Sequence, residues 1–326
     1  MQYKNNIILL AMVITIVTAI VIIKRTRTIK PSSALTIGIL QTASHPALDA
    51  ARDGFIDNIT NNSGGAITCI VHNAQGSIVN AHAIAERFHA DPTIVAIYAI
   101  ATPALQAIAT IEKQKPIFIA AVTNPHQLGL IDKQTNICGT TDMIDIPGTI
   151  NAIKHIMPHI STIALVYNPA ESNSVIQVKI MEKELAKHSI KAIHIGISTE
   201  VEIPQAIASA LSKADALLVP TDNLIASAMP IISHLAQIAK KPLIASHNQA
   251  VEQGAFMARG VDYYESGKQT SEIALQVLCK EKKPSNLPIR PTQSDTIMVN
   301  KQRLDELGIT ISGISDTIVF INSTNM

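Results

Sequence analysis

The sequence predicts an α/β fold of two lobes, each a parallel sheet with helices on both faces. Three observations predict it. Short β-branched and aliphatic runs alternate with helical stretches along nearly the whole chain, which is the pattern of βαβ units. The runs are near-continuous Ile, Val, Leu and Ala, as in strands covered on both faces. Turn-rich segments interrupt the alternation where the chain would pass between lobes.

The elements follow in order. Leu35 to Gln41 (LTIGILQ) is a strand that ends in polar residues. Pro46 to Asn61 is a helix, with Ala47, Ala50, Ala51 and Phe55 at helical spacing. The same pair recurs as Ile67–Val71 with Ile78–His89, and as Ile94–Ile100 with Pro103–Lys113. Ile117–Val122 is a further strand. Beyond it come Ile163–Tyr167 with Ser174–His188, Ala192–Ile197 with Pro204–Lys213, Ala216–Val219 with Leu224–Lys240, and Leu243–Ala245. Between Asn124 and Pro147 the alternation stops, and only a short strand near Asn136–Gly139 is expected there. That stretch reads as one crossing between lobes. Ser246–Gln253 reads as a second. The charged, proline-rich Lys280–Pro291 (KEKKPSNLPIRP) reads as a third. The expected division is residues 1–30 as a membrane segment with a basic flank, 31–146 plus about 250–282 as lobe 1, and 147–249 plus about 283–326 as lobe 2.

Ahead of this body, Ile7 to Ile23 (IILLAMVITIVTAIVII) has neither charge nor proline. As a helix it would reach about 25 Å, a little under a hydrocarbon core of about 30 Å. Ile-Ile-Lys-Arg follows directly, so no small-residue cleavage site closes the run, and no cysteine is there to carry a lipid. An uncleaved signal anchor is the expectation. Lys24, Arg25, Arg27 and Lys30 follow the run, which by the positive-inside rule favours a cytoplasmic C-terminal flank. Long domains translocate largely regardless of such charge.

Composition excludes several classes. Five of the 26 basic residues lie in the first 30 positions, so the body carries 21 basic and 25 acidic residues, a net charge of −4. A mildly acidic body does not suit nucleic acid. Aromatic residues are 3% of the chain and Trp is absent, so no base-stacking surface is expected. Cys69, Cys138 and Cys279 are far apart and read as free thiols with no metal spacing. No nucleotide-binding glycine loop, zinc-protease helix or serine-nucleophile elbow is present, and the histidines are scattered. Neither an enzyme, a metal site nor a cofactor is expected.

The chemistry gathers at the strand ends, where open parallel sheets bind ligands. Gln41-Thr42-Ala43-Ser44-His45-Pro46 follows the first strand, with Ser44 as the expected helix cap. Ala101-Thr102-Pro103 follows the third and opens a helix whose free N–H groups suit a carboxylate. Thr123-Asn124-Pro125 follows the fourth. In the second lobe come Tyr167-Asn168-Pro169-Ala170-Glu171-Ser172-Asn173-Ser174 and Pro220-Thr221-Asp222-Asn223, with Asp222 placed to receive an ammonium group. Ordinary helix capping explains any one of these polar loops; five on one edge read together as a binding cleft. His247, also at a strand end, joins the candidates as a ligand contact. The candidate binding residues are Ser44, Thr102, Thr123, Asn168, Ser174, Asp222 and His247.

Seven ordered segments carry a resemblance. They are HPALDAARDGF (His45–Phe55), NAQGSIVNAHAIAERF (Asn73–Phe88), ATPA (Ala101–Ala104), AAVTNP (Ala120–Pro125), YNPAESNSVIQVK (Tyr167–Lys179), VPTDNLIASA (Val219–Ala228) and GVDYYESGKQT (Gly260–Thr270). From Leu35 to Ile318 the chain resembles the substrate-binding proteins of ABC transporters, in the group typified by the tryptophan-binding protein TrpX. The resemblance implies a two-lobed periplasmic-binding-protein fold of type I, with three interlobe crossings. It implies an extracytoplasmic monomer that binds a small polar ligand in its cleft, an amino acid of the kind, mainly aromatic, that the wider family takes, and hands it to a permease and its ATPase subunit. Where the family carries an acidic residue after the Ala-Ser of one strand, this chain has His247. A membrane-anchored ligand-sensing receptor of the same fold is the other expectation. Such a receptor would be marked by a neighbouring kinase rather than by neighbouring permease genes.

Overall fold

The computed structural model describes residues 34–131, 135–292, 296–314 and 316–322. The expected anchor at Ile7–Ile23 and its basic flank lie outside the described residues. Among the described residues no helix is long and apolar enough to cross a membrane.

The first lobe begins with β1 (Leu35–Gln41), α1 (Pro46–Ser63), β2 (Ile67–Asn73), α2 (Ile78–Ala90), β3 (Ile94–Ile100), α3 (Thr102–Ile111), β4 (Ile117–Ala120) and β5 (Ile137–Thr141). The second continues with α4 (Ile146–Ile156), β6 (Thr162–Tyr167), α5 (Ser172–Lys187), β7 (Lys191–Gly196), α6 (Ile203–Leu211), β8 (Ala216–Leu218), α7 (Asn223–Ser227), α8 (Met229–Ile238), β9 (Leu243–His247), α9 (Gln249–Glu252) and β10 (Met257–Val261). The chain then returns to the first lobe for α10 (Tyr263–Leu278) and β11 (Ile289–Pro291). It closes in the second with β12 (Thr296–Asn300), α11 (Lys301–Leu307) and β13 (Thr317–Ile321). The first sheet has the order β11-β5-β4-β3-β1-β2 and the second β13-β12-β10-β9-β8-β6-β7. All pairs are parallel except β10 with β12. Here β12 enters from the other lobe rather than through a βα crossover, so nothing obliges it to run parallel.

The alternation read from sequence is found apart from the unexpected helix α4 after the first crossing, and the strands β1 and β3 keep their expected ends. Three expectations move. The helix expected at Leu224–Lys240 is two helices, α7 and α8, because Pro230 sits in the first turn of α8 and cannot continue the preceding ladder. The second crossing comes after Val261, not at Ser246–Gln253. The chain first adds β10 beside β9, so residues 250–261 belong with the second lobe. That strand carries the buried Arg259. Its side chain is 6% exposed, with Nη1 2.9 Å from Asp145 Oδ2 and Nε 2.9 Å from Asp316 Oδ2. The third crossing follows Pro291, because β11 pairs with β5. A proline fits there since β11 is an edge strand, where a ladder N–H is dispensable.

The core is apolar on both faces of the first sheet. Phe55 of α1 stacks on Tyr98 of β3 with ring centroids 4.1 Å apart, and the Tyr98 hydroxyl donates to Ala51 O at 3.1 Å. One cluster of buried side chains takes in Phe55 and Tyr98 of the first lobe, Ile163 and Leu165 of the second, and Ile144 and Ile146 at the first crossing. The lobes therefore share apolar packing at their hinge, and the C-terminal ends of their strands face each other.

Candidate functional site: the interlobe cleft

The rim of the first lobe is built by loops that leave the strand ends abruptly. After β1, Thr42 Oγ1 donates to Ile100 O at 3.0 Å and accepts from Ala104 N–H at 3.1 Å, tying this loop to the start of α3. His45, in extended backbone at φ −158° and ψ 160°, directly precedes α1, so Ser44 is not the cap that the sequence suggests. Ser44 is exposed, and its hydroxyl donates to the Asp49 carboxylate at 3.0 Å. Ala101, Ala121 and Asn124 hold positive φ values of 78°, 57° and 43° at the ends of β3 and β4. Non-glycine residues hold such angles at a cost of about 1–3 kcal/mol each, and they cluster where function requires them. Here they turn Thr102 and Thr123 inward. Thr123 N–H donates to Thr102 Oγ1 at 3.2 Å, and Thr123 Oγ1 donates to Asp142 Oδ1 at 2.6 Å. The other Asp142 oxygen accepts from the Tyr263 hydroxyl at 2.8 Å.

The rim of the second lobe is a capping network. Asp222 is the N-cap of α7, its Oδ1 accepting from Ile225 N–H at 3.0 Å. Its Oδ2 accepts from Asn168 N–H and from Ser174 Oγ, both at 2.6 Å. Asn168 spends its side-chain oxygen on Ala170 N–H at 2.9 Å, so it reaches Asp222 through its backbone. Glu171 lies beside Asp222, accepting from Asn223 N–H and Leu224 N–H at 3.1 Å each.

The lobes meet through side chains. Thr123 Oγ1 is 3.2 Å from Thr221 Oγ1, and Gln177 Nε2 donates to both of these hydroxyls. His45 Nε2 is 3.5 Å from Asn223 Oδ1, and Gln106 Nε2 donates to Ser172 Oγ at 3.2 Å. The gap left between the lobes, about 10 Å³ in this arrangement, is lined by Leu48, Ala121, Ala226 and the Tyr263 ring, with Asp142, Asp222 and His247 at its polar edges. Three buried polar atoms on this gap have no hydrogen-bond partner: His45 Nδ1, His247 Nδ1 and Asn173 Oδ1.

Burial sets the electrostatics. It pulls His45 down to about 4 and, together with the neighbouring His45, pulls His247 down to about 3. Both rings are therefore neutral at pH 7. Burial pushes the Asp142 carboxyl upward, against the hydrogen bonds from Thr123 and Tyr263. Burial and then the adjacent Glu171 charge push Asp222 upward. The gap is thus acid-lined and carries no cationic side chain. Among the described residues, no group of three His, Cys, Asp or Glu is placed to hold a metal ion.

Of the seven residues singled out from sequence, Thr102, Thr123, Ser174 and Asp222 fall into one hydrogen-bonded network, and His247 lines the same gap. Asn168 supports the network by its main chain, and Ser44 stands outside it. Sequence reasoning passed over His45, Asp142, Asn173, Gln177, Thr221 and Tyr263. His45 and Thr221 adjoin residues that were chosen. Asp142 sits in a segment that reads only as turn. Gln177 and Tyr263 lie inside helices, where cleft-facing polar residues look like ordinary helix surface.

Comparison with known proteins agrees with this architecture. Residues 36–318 match the model of the family described as ABC transporter substrate binding protein. The chain is 36% identical over 294 residues to a tyrosine-binding protein of Clostridioides difficile, covering 88% of this chain and 84% of that one. A Streptococcus pneumoniae ABC domain in complex with L-Trp superposes with a TM-score of 0.80 at 30% identity, covering 86% of this chain and 96% of that one. The ligand-free, open structure of a Clostridium difficile substrate binding protein with adhesive properties gives 0.66 at 35% identity, covering 89% and 100%. This chain belongs to the ABC transporter substrate binding protein family.

Proposed function

We propose that the protein captures an amino acid with an aromatic side chain in the interlobe cleft, outside the cytoplasmic membrane, and delivers it to an ABC permease. The observation that carries this reading is the convergence of three unpartnered buried polar atoms on one acid-lined gap between the lobes. Buried polar atoms are almost always paired, so orphans that share a cleft mark the place of a ligand. Asp142 and Asp222 supply negative charge for an α-ammonium group. Pro103 has no N–H and the Ala104 N–H is held by Thr42 Oγ1, so the first turn of α3 leaves only the Thr102 N–H for a carboxylate. Leu48, Ala121, Ala226 and the Tyr263 ring form the apolar wall for a side chain. Contacts to both lobes favour the closed arrangement over the open one, and the permease reads that difference. The backbone supports a closed state: it superposes better on the tryptophan complex than on the open structure, although the open protein shares more identical residues. The relatives that bind tyrosine and tryptophan support the ligand class.

Titration calorimetry of the purified chain with L-tyrosine, L-tryptophan, L-phenylalanine and L-leucine tests the reading. Saturable 1:1 binding of an aromatic member is expected, with leucine much weaker. Heats of dilution alone for all four would remove the amino-acid assignment. A phosphatase fused after Met326 should be active if the body is exported behind the Ile7–Ile23 segment; an active cytoplasmic reporter at that point would reverse the topology.

A further inference from the structure

The second lobe holds a larger cavity that the cleft does not use. It lies at the opposite end of β9: His247 closes that strand at the cleft, and Leu243 opens it at the cavity. Four residue steps separate the two ends, roughly 13 Å of strand. The cavity encloses about 310 Å³ between the end of α8, the start of β9 and α11. That is roughly ten times the volume a water molecule occupies in the liquid. Leu243, Phe256 and Leu307 make an apolar floor.

The polar groups around the floor are of one kind. Ser233 is 3% exposed, and its hydroxyl has no hydrogen-bond partner. A helical serine usually returns its hydroxyl to the preceding turn; Ser233 does not. Gly254 at φ +100° keeps the wall beside it open. A Cβ there would lie 3.2 Å from Ser233 Cβ and 3.8 Å from Arg303 Nη2. Arg303 spends Nε on Gly254 O at 3.3 Å and Nη1 on Glu306 Oε2 at 2.6 Å, and among the described residues Nη2 has no partner. Lys240 and Lys241 stand on the rim. The Lys240 side chain makes no hydrogen bond or ion pair among the described residues, and Lys241 lies near the Asp215 carboxylate. Three cations thus stand against two carboxylates, Glu306, which is already bound to Arg303, and Asp215 beside Lys241. An apolar floor, a buried idle hydroxyl and surplus positive charge complement a small organic anion with a hydrocarbon body.

We propose that this cavity is a second binding site, for a small amphipathic carboxylate, with the hydrocarbon on Leu243, Phe256 and Leu307 and the carboxylate between Ser233, Arg303 and the two lysines. It is separate from the cleft and does not depend on which solute the cleft takes.

Titration calorimetry of the full chain with hexanoate tests it, with hexylamine and inorganic phosphate as probes that lack the charge or the hydrocarbon. Hexanoate should bind saturably, and hexylamine and phosphate at least about tenfold more weakly, as expected when a charge-assisted bond or the apolar contact is lost. Lys240→Gln with Lys241→Gln should weaken hexanoate about tenfold and leave binding in the cleft unchanged. Ser233→Ala supplies an independent reading. Because the hydroxyl is idle in the fold, its removal should hold or raise Tm while lowering hexanoate affinity several-fold. No saturable hexanoate binding, equal binding of hexylamine, or affinity unmoved by both variants would overturn the site.

Discussion

Asp222 shows how a capping residue and a cleft residue can be the same side chain. Its two oxygens accept three protein hydrogen bonds, from Ile225 N–H, Asn168 N–H and Ser174 Oγ. In sequence the position reads as a helix cap, for which asparagine serves about as well as aspartate. The geometry makes asparagine a poor substitute. An amide offers an oxygen to one side only, and its NH2 would confront either Ile225 N–H or Asn168 N–H. Asp222→Asn should therefore cost about 1–3 kcal/mol of stability, as well as weakening any ligand held by that charge. Chemical denaturation of the variant checks this, and an unchanged midpoint would show that the network tolerates a donor. Thr221 carries the complementary point. Its hydroxyl lies 3.2 Å from Thr123 Oγ1 in the other lobe, so the residue beside the cap also makes the interlobe contact.

At the scale of elements, the returning helix α10 decides whether the first lobe is complete. It packs on α1 at very short range. A Cβ on Gly54 would lie 2.1 Å from Tyr264 O, and one on Gly267 would lie 2.0 Å from Ala51 O. The two glycines let the backbones approach, and Asn58 Nδ2 can then donate to Ser271 Oγ at 2.5 Å. Gly267→Ala gains a little helix propensity but forces these backbones apart. Overpacking of this kind costs about 1–3 kcal/mol, which outweighs a propensity gain of about 1 kcal/mol. A lower denaturation midpoint is expected, and a raised one would mean that the contact is loose. The same contact places Tyr263, at the first turn of α10, against Asp142 and His247. The helix–helix fit thus positions an aromatic wall of the cleft.

For the whole molecule, the buried imidazoles link stability to pH. In an unfolded chain a histidine titrates near 6.5, while His45 and His247 are held down to about 4 and about 3 by burial. Between those values the unfolded chain binds more protons, so their contribution is fully present above about pH 6.5 and is lost as pH falls toward 4. Asp142 and Asp222 are displaced upward and work in the opposite sense, their contribution falling as pH rises from the ordinary carboxylate value through the raised one, which for Asp222 is about 7. Asp49 also faces His45 and favours its protonation slightly. Comparing the native protein with His45→Gln isolates the imidazole. The difference in unfolding free energy should be constant above pH 7 and move by up to about 3 kcal/mol in favour of the variant by pH 4. A difference that is flat across this range would show that His45 is not held neutral in the folded protein.

Without showing α4 or the break between α7 and α8, the sequence by itself determined the fold class, the strands through β9 with most of the helices between them, and the edge of the sheets on which the polar loops gather. These follow from local periodicity and turn chemistry, which the chain carries residue by residue. Thr102, Thr123, Ser174 and Asp222 were legible because strand-end loops announce themselves with Ser, Thr, Asp and Pro. Only the tertiary structure decided where the last crossings fall, because they are set by β10 pairing with β9 and β11 pairing with β5, which no local pattern shows. It also decided the cleft partners His45, Asp142, Gln177 and Tyr263. Their role comes from a neighbour in the other lobe or on a distant segment, such as Asn223 for His45 and Tyr263 for Asp142. The cavity beneath β9 belongs to the same class: Ser233, Gly254 and Arg303 have no common signature until folding brings them to one wall. Local patterns encode what each segment becomes, while long-range packing sets which side chains share a site.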